Sequence, residues 1–138
     1  MRTYIDSSVL LRIVLGAEGA IPDWRSLEHR VSSALVEVEC MRTLDRLRLV
    51  QRVADDEIAA HRHAVYALLA GMDIVEISSA ITHRASQPLP VSLRSLDAIH
   101  LATAMTWRDA EQDEVRIATH DSALALAAQA TGFDVIGI

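Results

Sequence analysis

Short apolar runs alternate with longer helical stretches along the whole of this 138-residue chain, and that alternation constrains the fold more than any other feature. Thr3-Tyr4-Ile5, Arg30-Val31-Ser32, Asp73 to Ile77, Val115 to Thr119 and Phe133 to Ile136 read as strands. Helical patterns fall between them: Val9 to Leu15, Ser33 to about Leu49, residues 55–70, Ser79 to Ser86, Ser95 to about Trp107, and Asp121 to Thr131. Strands separated by a helix pair in parallel, because each crossover must carry the chain back to its starting edge. The predicted class is α/β: a mainly parallel central sheet of four to five short strands flanked by helices.

Local signals punctuate the same pattern. Ser7 or Ser8 can cap the first helix and Gly16 stops it. Asp55, Asp56 and Glu57 suit the first turn of their helix, where the macrodipole favours negative charge. Pro22 and Trp24 sit in a stretch from Gly19 to Arg30 that reads as a loop with a short helix. Pro88 and Pro90 mark another loop, and the polar run Arg108 to Glu114 reads as a turn. No repeat, low-complexity tract or linker divides the chain, so residues 1–138 are expected to form one domain.

Composition narrows the function. The net charge of −6 argues against holding nucleic acid by bulk electrostatics, yet leaves room for an acidic site made locally cationic by a bound metal. Every basic residue is arginine. Cys40 is the sole cysteine, so no internal disulfide can form. Asp6 and Arg12 interrupt the short apolar run near the N-terminus, which lacks a charged leader. No stretch approaches membrane-spanning length. A cytoplasmic protein is expected, without membrane contact.

Four acids stand at junctions of this pattern: Asp6, Glu39, Asp97 and Asp121. Junctions beyond the strand ends are where parallel α/β sheets bind ligands. Carboxylates gathered there repel, by roughly 4 kcal/mol for two charges 4 Å apart at an effective dielectric near 20. A hard divalent cation offsets that repulsion.

Individually the acids differ in weight. Asp6 follows a strand and could simply cap the next helix. Asp97 shares a helical stripe with Leu101, Ala104 and Met105, which should be buried, and a buried carboxylate needs a partner or a metal. Glu39 lies on a stripe with Arg42 and Arg46, so an exposed ion pair would also explain it, and periodicity does not choose it over Glu37. Asp121 is an ordinary N-cap taken alone. His100, one turn after Asp97, could orient it, though a satisfied core histidine is the commoner case. His61 and His63 lie on different helix faces, and without a Cys/His cluster zinc is not indicated. The chain carries no nucleophile-elbow, phosphate-loop or dinucleotide motif.

Taken together, four stretches resemble the PIN domain, and within it the VapC-type toxins of bacterial toxin–antitoxin pairs. They are Tyr4-Ile5-Asp6-Ser7-Ser8; Ser33 to Glu39 followed by Arg42; Leu93 to Ala104; and Ile117-Ala118-Thr119-His120-Asp121 with Leu124. The third is the most specific, and together they span nearly the whole chain. The resemblance implies that Asp6, Glu39, Asp97 and Asp121 hold Mg²⁺, with Mn²⁺ as substitute, and it selects Glu39 over Glu37. It places Ser7 and Thr119 as hydroxyls supporting the acids. One departure is visible: some relatives carry a further acid where this chain has Leu124, which bears on a second metal more than on the first.

The activity so implied is metal-dependent endoribonuclease cleavage of RNA, leaving a 5′-phosphate and a 3′-hydroxyl. Arg42, Arg46 and Arg94 are candidates for phosphate contact, with surface ion pairing as the plainer explanation. The family further implies a cognate VapB-like antitoxin packing into the active-site groove, and a homodimer. The first helix (Val9, Leu10, Ile13, Val14) and the helix over 55–70 are the expected docking surfaces. The rival reading is a catalytically weak or inactive PIN-fold interaction module whose acids bind a partner's arginines.

Overall fold

The computed structural model describes residues 1–21 and 23–138; the loop reading at Pro22 lies outside the described residues. In chain order its elements are β1 (Arg2–Ile5), α1 (Ser7–Val14), a 3₁₀ turn (Trp24–Ser26), β2 (Arg30–Ser33), α2 (Leu35–Gln51) and α3 (Asp55–Ala70). β3 (Asp73–Val75), α4 (Ser79–Ala85), α5 (Ser95–Glu111), β4 (Val115–Ala118), α6 (Ser122–Ala130) and β5 (Val135–Ile136) follow. The strands form one sheet in the order β3-β2-β1-β4-β5, and every pairing is parallel.

β1 is the centre of this order. The chain winds outward from it through β2 and β3 on one side and returns to β4 and β5 on the other. The order therefore switches at β1 and β4, and the crevice beyond their C-terminal ends is where such a sheet takes a ligand. Asp6 follows β1 and Asp121 precedes α6 just after β4, so both acids stand at that switch point.

Alternation along the central strands divides the core between the two faces. Tyr4 and Ile117 point to one face, packing with Val31, Leu101, Ala104, Leu124 and Phe133 under α5 and α6. Ile5 and Ala118 point to the other, packing with Val9, Leu10, Val36, Cys40, Leu44 and Val65 under α1, α2 and α3. Each fully buried Leu or Val contributes about 1.5–3 kcal/mol relative to an exposed one.

Two expectations are corrected here. The polar run after Trp107 is not a turn from its start: α5 continues to Glu111, and Gln112 ends it in the left-handed region at φ 50°. Tertiary contacts keep those last turns helical. Arg108 lies over the Phe133 ring and donates to the Thr131 carbonyl at 3.0 Å, while Asp109 pairs with Arg84 at 2.8 Å. The apolar face of α1 is not an open docking surface either. Val9 and Leu10 are fully buried in the second core, and Ile13 and Val14 pack against it.

Candidate functional site

Asp6 occupies the N-cap position of α1, yet its carboxylate caps nothing in that helix. It is buried beyond the end of β1, 4 % exposed, and held there by two hydroxyls. Ser8 Oγ donates to Oδ2 at 2.6 Å and Thr119 Oγ1 donates to the same oxygen at 2.8 Å. Ser7 or Ser8 was expected to cap α1, and Ser7, with Thr119, to support the acids. Among the described residues, Ser8 is the serine that reaches Asp6, and its oxygen also accepts from the His120 amide at 2.9 Å. Helical spacing explains this, because Ser7 sits one residue away, buried, on another side of the first turn.

Thr119 links two acids. Besides donating to Asp6 it accepts from the Asp121 amide at 3.0 Å. Asp121 then caps α6 with Oδ1, which accepts from the Leu124 amide at 2.9 Å. Capping therefore uses one Asp121 oxygen, and the other takes no hydrogen bond among the described residues. Leu124, standing where some relatives carry an acid, is fully buried in the first core.

Glu39 lies on the inward side of α2 with its side chain 18 % exposed, whereas Glu37 is exposed. Packing makes the choice that periodicity left open. The ion pair with Arg42 does not form: Arg42 turns to Asp45 at 3.2 Å, which Arg48 also reaches at 3.0 Å. Glu39 bonds instead to His100 Nε2 through Oε1.

Asp97 sits in the first turn of α5 on the stripe of Leu101 and Ala104, but it is half-buried rather than buried. Its place at the sheet's edge is the reason: with Arg94, Asp121 and Ser122 it lines an open crevice beyond β4. Burial first, then the charges of Asp121, Asp6 and Glu39, push its carboxyl above the usual range, with His100 opposing. These couplings bring all four acids into one electrostatic neighbourhood. A larger concavity of about 790 Å³, against Arg12, Ile21 and Arg116, contains none of them.

His100 was underweighted by sequence reasoning. It is fully buried, bonds Glu39 on one nitrogen, and lies 3.8 Å from Asp6 Oδ1 on the same nitrogen. Burial disfavours its charged form, but the Glu39 hydrogen bond and the charges of Glu39, Asp6 and Asp97 prevail and raise its pKa. Its placement one turn after Asp97 on a buried stripe was the available signal.

The donor set fits a hard divalent cation. Asp6 and Glu39 each bring a carboxylate oxygen within 4.8 Å of the other, Asp97 and Asp121 line the adjoining crevice, and among the described residues no arginine pairs with any of the four. The neighbouring cation-forming group is His100. All-oxygen donors of this kind suit Mg²⁺ or Mn²⁺.

Comparison with known proteins agrees with this architecture. A PIN domain family model matches residues 3–134. The chain is 33% identical over 136 residues to Ribonuclease VapC46 of Mycobacterium tuberculosis, covering 96% of this chain and 95% of that one. It is likewise 33% identical over 138 residues to Ribonuclease VapC35 of the same species, covering 96% and 94%. Among solved structures, FitAB bound to an IR36 DNA fragment superposes with a TM-score of 0.73 at 15% identity, covering 97% and 93%. A toxin–antitoxin complex from Klebsiella pneumoniae gives 0.67 at 18% identity, covering 97% and 95%. The parallel sheet with acids at its switch point thus defines a PIN-fold protein. The chain belongs to the PIN domain family, and within it to the VapC type.

Proposed function

We propose that this protein is a metal-dependent endoribonuclease toxin, a single PIN domain kept silent in the cytoplasm by a cognate VapB-like antitoxin. The observation that carries the reading is the gathering of acids without an arginine partner: Asp97 and Asp121 line one crevice, and the charges of Asp121, Asp6 and Glu39 add to burial in pushing the Asp97 carboxyl upward. The names of the VapC relatives point to ribonuclease activity, and the toxin–antitoxin complex among the structural neighbours points to a protein partner.

In this reading the four acids hold Mg²⁺ or Mn²⁺. Bound there, the ion would activate a water and stabilise charge on the phosphate and the leaving oxygen. The chain's own residues prepare the site. Ser8 and Thr119 fix Asp6 by hydrogen bonds that both fall on Oδ2 and leave Oδ1 for an ion. Thr119 also sets the backbone at Asp121, whose cap leaves one oxygen for the site. Arg94, at the N-terminus of α5 on the crevice wall, is the arginine best placed to meet a backbone phosphate. Arg42 and Arg46 lie on exposed positions of α2 and would contribute at longer range.

Exposed apolar side chains adjoin the acids in sequence. Val38 is 58 % exposed beside Glu39, and Leu96 is 48 % exposed beside Asp97. An antitoxin segment lying over the crevice would cover them, replacing the expected docking on α1. A homodimer is the proposed assembly.

Incubation of antitoxin-free protein with total RNA tests the reading. Discrete fragments should appear with Mg²⁺ or Mn²⁺, vanish with a chelator, and be absent for Asp97→Asn. No fragments from a folded protein that binds Mn²⁺ would favour the interaction module, and fragments formed equally with chelator would contradict metal dependence.

A further inference from the structure

Tyr4 and His100 form a buried pair that the proposed chemistry does not use directly. Both are fully buried, one on the central strand β1 and the other on α5. Their rings meet edge-on, with centroids 5.8 Å apart and planes at 74°. The Tyr4 hydroxyl lies 2.7 Å from His100 Nδ1, and the far nitrogen, Nε2, bonds Glu39 Oε1. The three side chains form a relay from the middle of the sheet, through the α5 face, to an acid on α2.

The chemistry of the partners settles the hydrogen positions. A carboxylate oxygen only accepts, so His100 Nε2 carries the hydrogen it shares with Glu39. In the neutral ring Nδ1 then accepts the Tyr4 O–H; in the charged ring Nδ1–H donates to the Tyr4 oxygen. Nε2 has no lone pair for an ion in either form. This bears on a second arrangement, because Asp6, Glu39 and His100 each offer one ligand atom and these lie within 4.8 Å of one another. That trio taken as ligands would give a mixed nitrogen–oxygen site, favouring softer ions than Mg²⁺.

We propose that His100 and Tyr4 are positioning residues for Glu39, and that His100 is not a metal ligand. The proposal rests on reading the acids as an ion site. A glutamate has three rotatable bonds, and holding Oε1 on a buried ring restrains them, so the carboxylate stays beside Asp6. Tyr4 locks the ring from behind, as the outer partner of an orienting histidine does. Losing such a partner weakens metal binding by about 10–100-fold.

Two measurements test it. Long-range ¹H–¹⁵N spectra of the full chain should show His100 with a hydrogen on Nε2, both metal-free and with saturating Mg²⁺. Calorimetry with Mn²⁺ should show at least about a 10-fold weaker affinity for His100→Leu and a smaller loss for Tyr4→Phe. His100→Gln, whose side-chain amide can still donate to Glu39, should stay near wild type. Loss of the Nε2 hydrogen on metal loading, or equal loss of affinity in the Leu and Gln variants, would make His100 a ligand and overturn the proposal. Wild-type affinity in a folded His100→Leu variant would overturn it too, reducing the histidine to packing. A ring that carries the Nε2 hydrogen in a wild-type chain binding neither ion would instead remove the ion-site reading beneath it.

Discussion

Thr119 Oγ1 lies 2.8 Å from Asp6 Oδ2, joining the C-terminal ends of two adjacent parallel strands. The register of β1 on β4 sets that contact: Ile5 pairs with Ala118, so the next residue of each strand meets its neighbour at the edge of the sheet. The central pair of strands thereby delivers a carboxylate and the hydroxyl that orients it to one point.

Removing that hydroxyl should cost more than a surface threonine would. Thr119→Val leaves the Asp121 amide and one Asp6 oxygen without this partner. A loss of about 1–3 kcal/mol is expected in chemical denaturation. Mn²⁺ affinity, read by calorimetry, should fall by about 10-fold or more.

Asp97→Asn should separate stability from activity. Its raised pKa reflects burial and like charge, so neutralising it relieves repulsion. Because Asp97 is partly solvated, the metal-free gain should be small, under about 1 kcal/mol after screening. Cleavage should fall on the order of 10²-fold or more. Thermal melts with chelator, paired with cleavage assays, check both directions.

The pH dependence of the metal-free protein follows from the shifts of Asp97 and His100. Both pKa values are raised. A raised carboxyl favours the folded state while protonated, and that benefit is lost as pH climbs from the ordinary carboxylate range through its folded pKa. A raised histidine contributes fully below its ordinary value and loses its contribution as pH climbs through its own folded pKa. Both effects run the same way, so these two groups should lower stability with rising pH. Bound Mg²⁺ competes with protons for the acids, so its stabilising effect should grow over the same interval. Melting temperatures with and without Mg²⁺ across that range provide the check.

Gly137→Ala should be severe. Its φ is +97°, and an added Cβ would stand 2.6 Å from the Thr119 carbonyl oxygen. The Gly137 carbonyl also lies 2.6 Å from His120 Nδ1. A cost of about 2 kcal/mol or more is expected, through strain and displacement of β5. Denaturant titration measures it, and a change in Mn²⁺ affinity would trace the displacement to Thr119.

Arg94→Gln should weaken RNA binding more than Arg42→Gln. Arg42 is tied to Asp45 and largely exposed, whereas Arg94 lines the crevice with Asp97. Loss of one phosphate contact should flatten the salt dependence of single-strand binding by about 0.7 in logarithmic slope. Fluorescence anisotropy at several salt concentrations with a metal-free catalytic variant reads it.

The sheet and its helices were legible because strand-length apolar runs and capping residues state their period locally. α3 (Asp55–Ala70) spans the residues expected from its acidic first turn. The last turn of α5 was hidden because Arg108 and Asp109 are held helical by Phe133, Thr131 and Arg84, all distant in sequence. α1 misled for a related reason: an amphipathic pattern shows that a face is apolar, not what covers it. At the site, junction placement drew attention to the acids. The exchange of Ser7 for Ser8 and the role of His100 depended on which side chains face each other across the sheet edge, which no local pattern records.

The chemistry of the cut ends tests the central claim most directly. RNA fragments made by the antitoxin-free protein with Mg²⁺ should carry 5′-phosphates and 3′-hydroxyls, read by their ability to be ligated without prior end repair. Attack by a metal-activated water at phosphorus gives those ends. Fragments ending in 2′,3′-cyclic phosphates, formed equally with chelator present, would contradict the account. They would mean that the RNA's own 2′-hydroxyl is the nucleophile and that the four acids do not hold a catalytic ion.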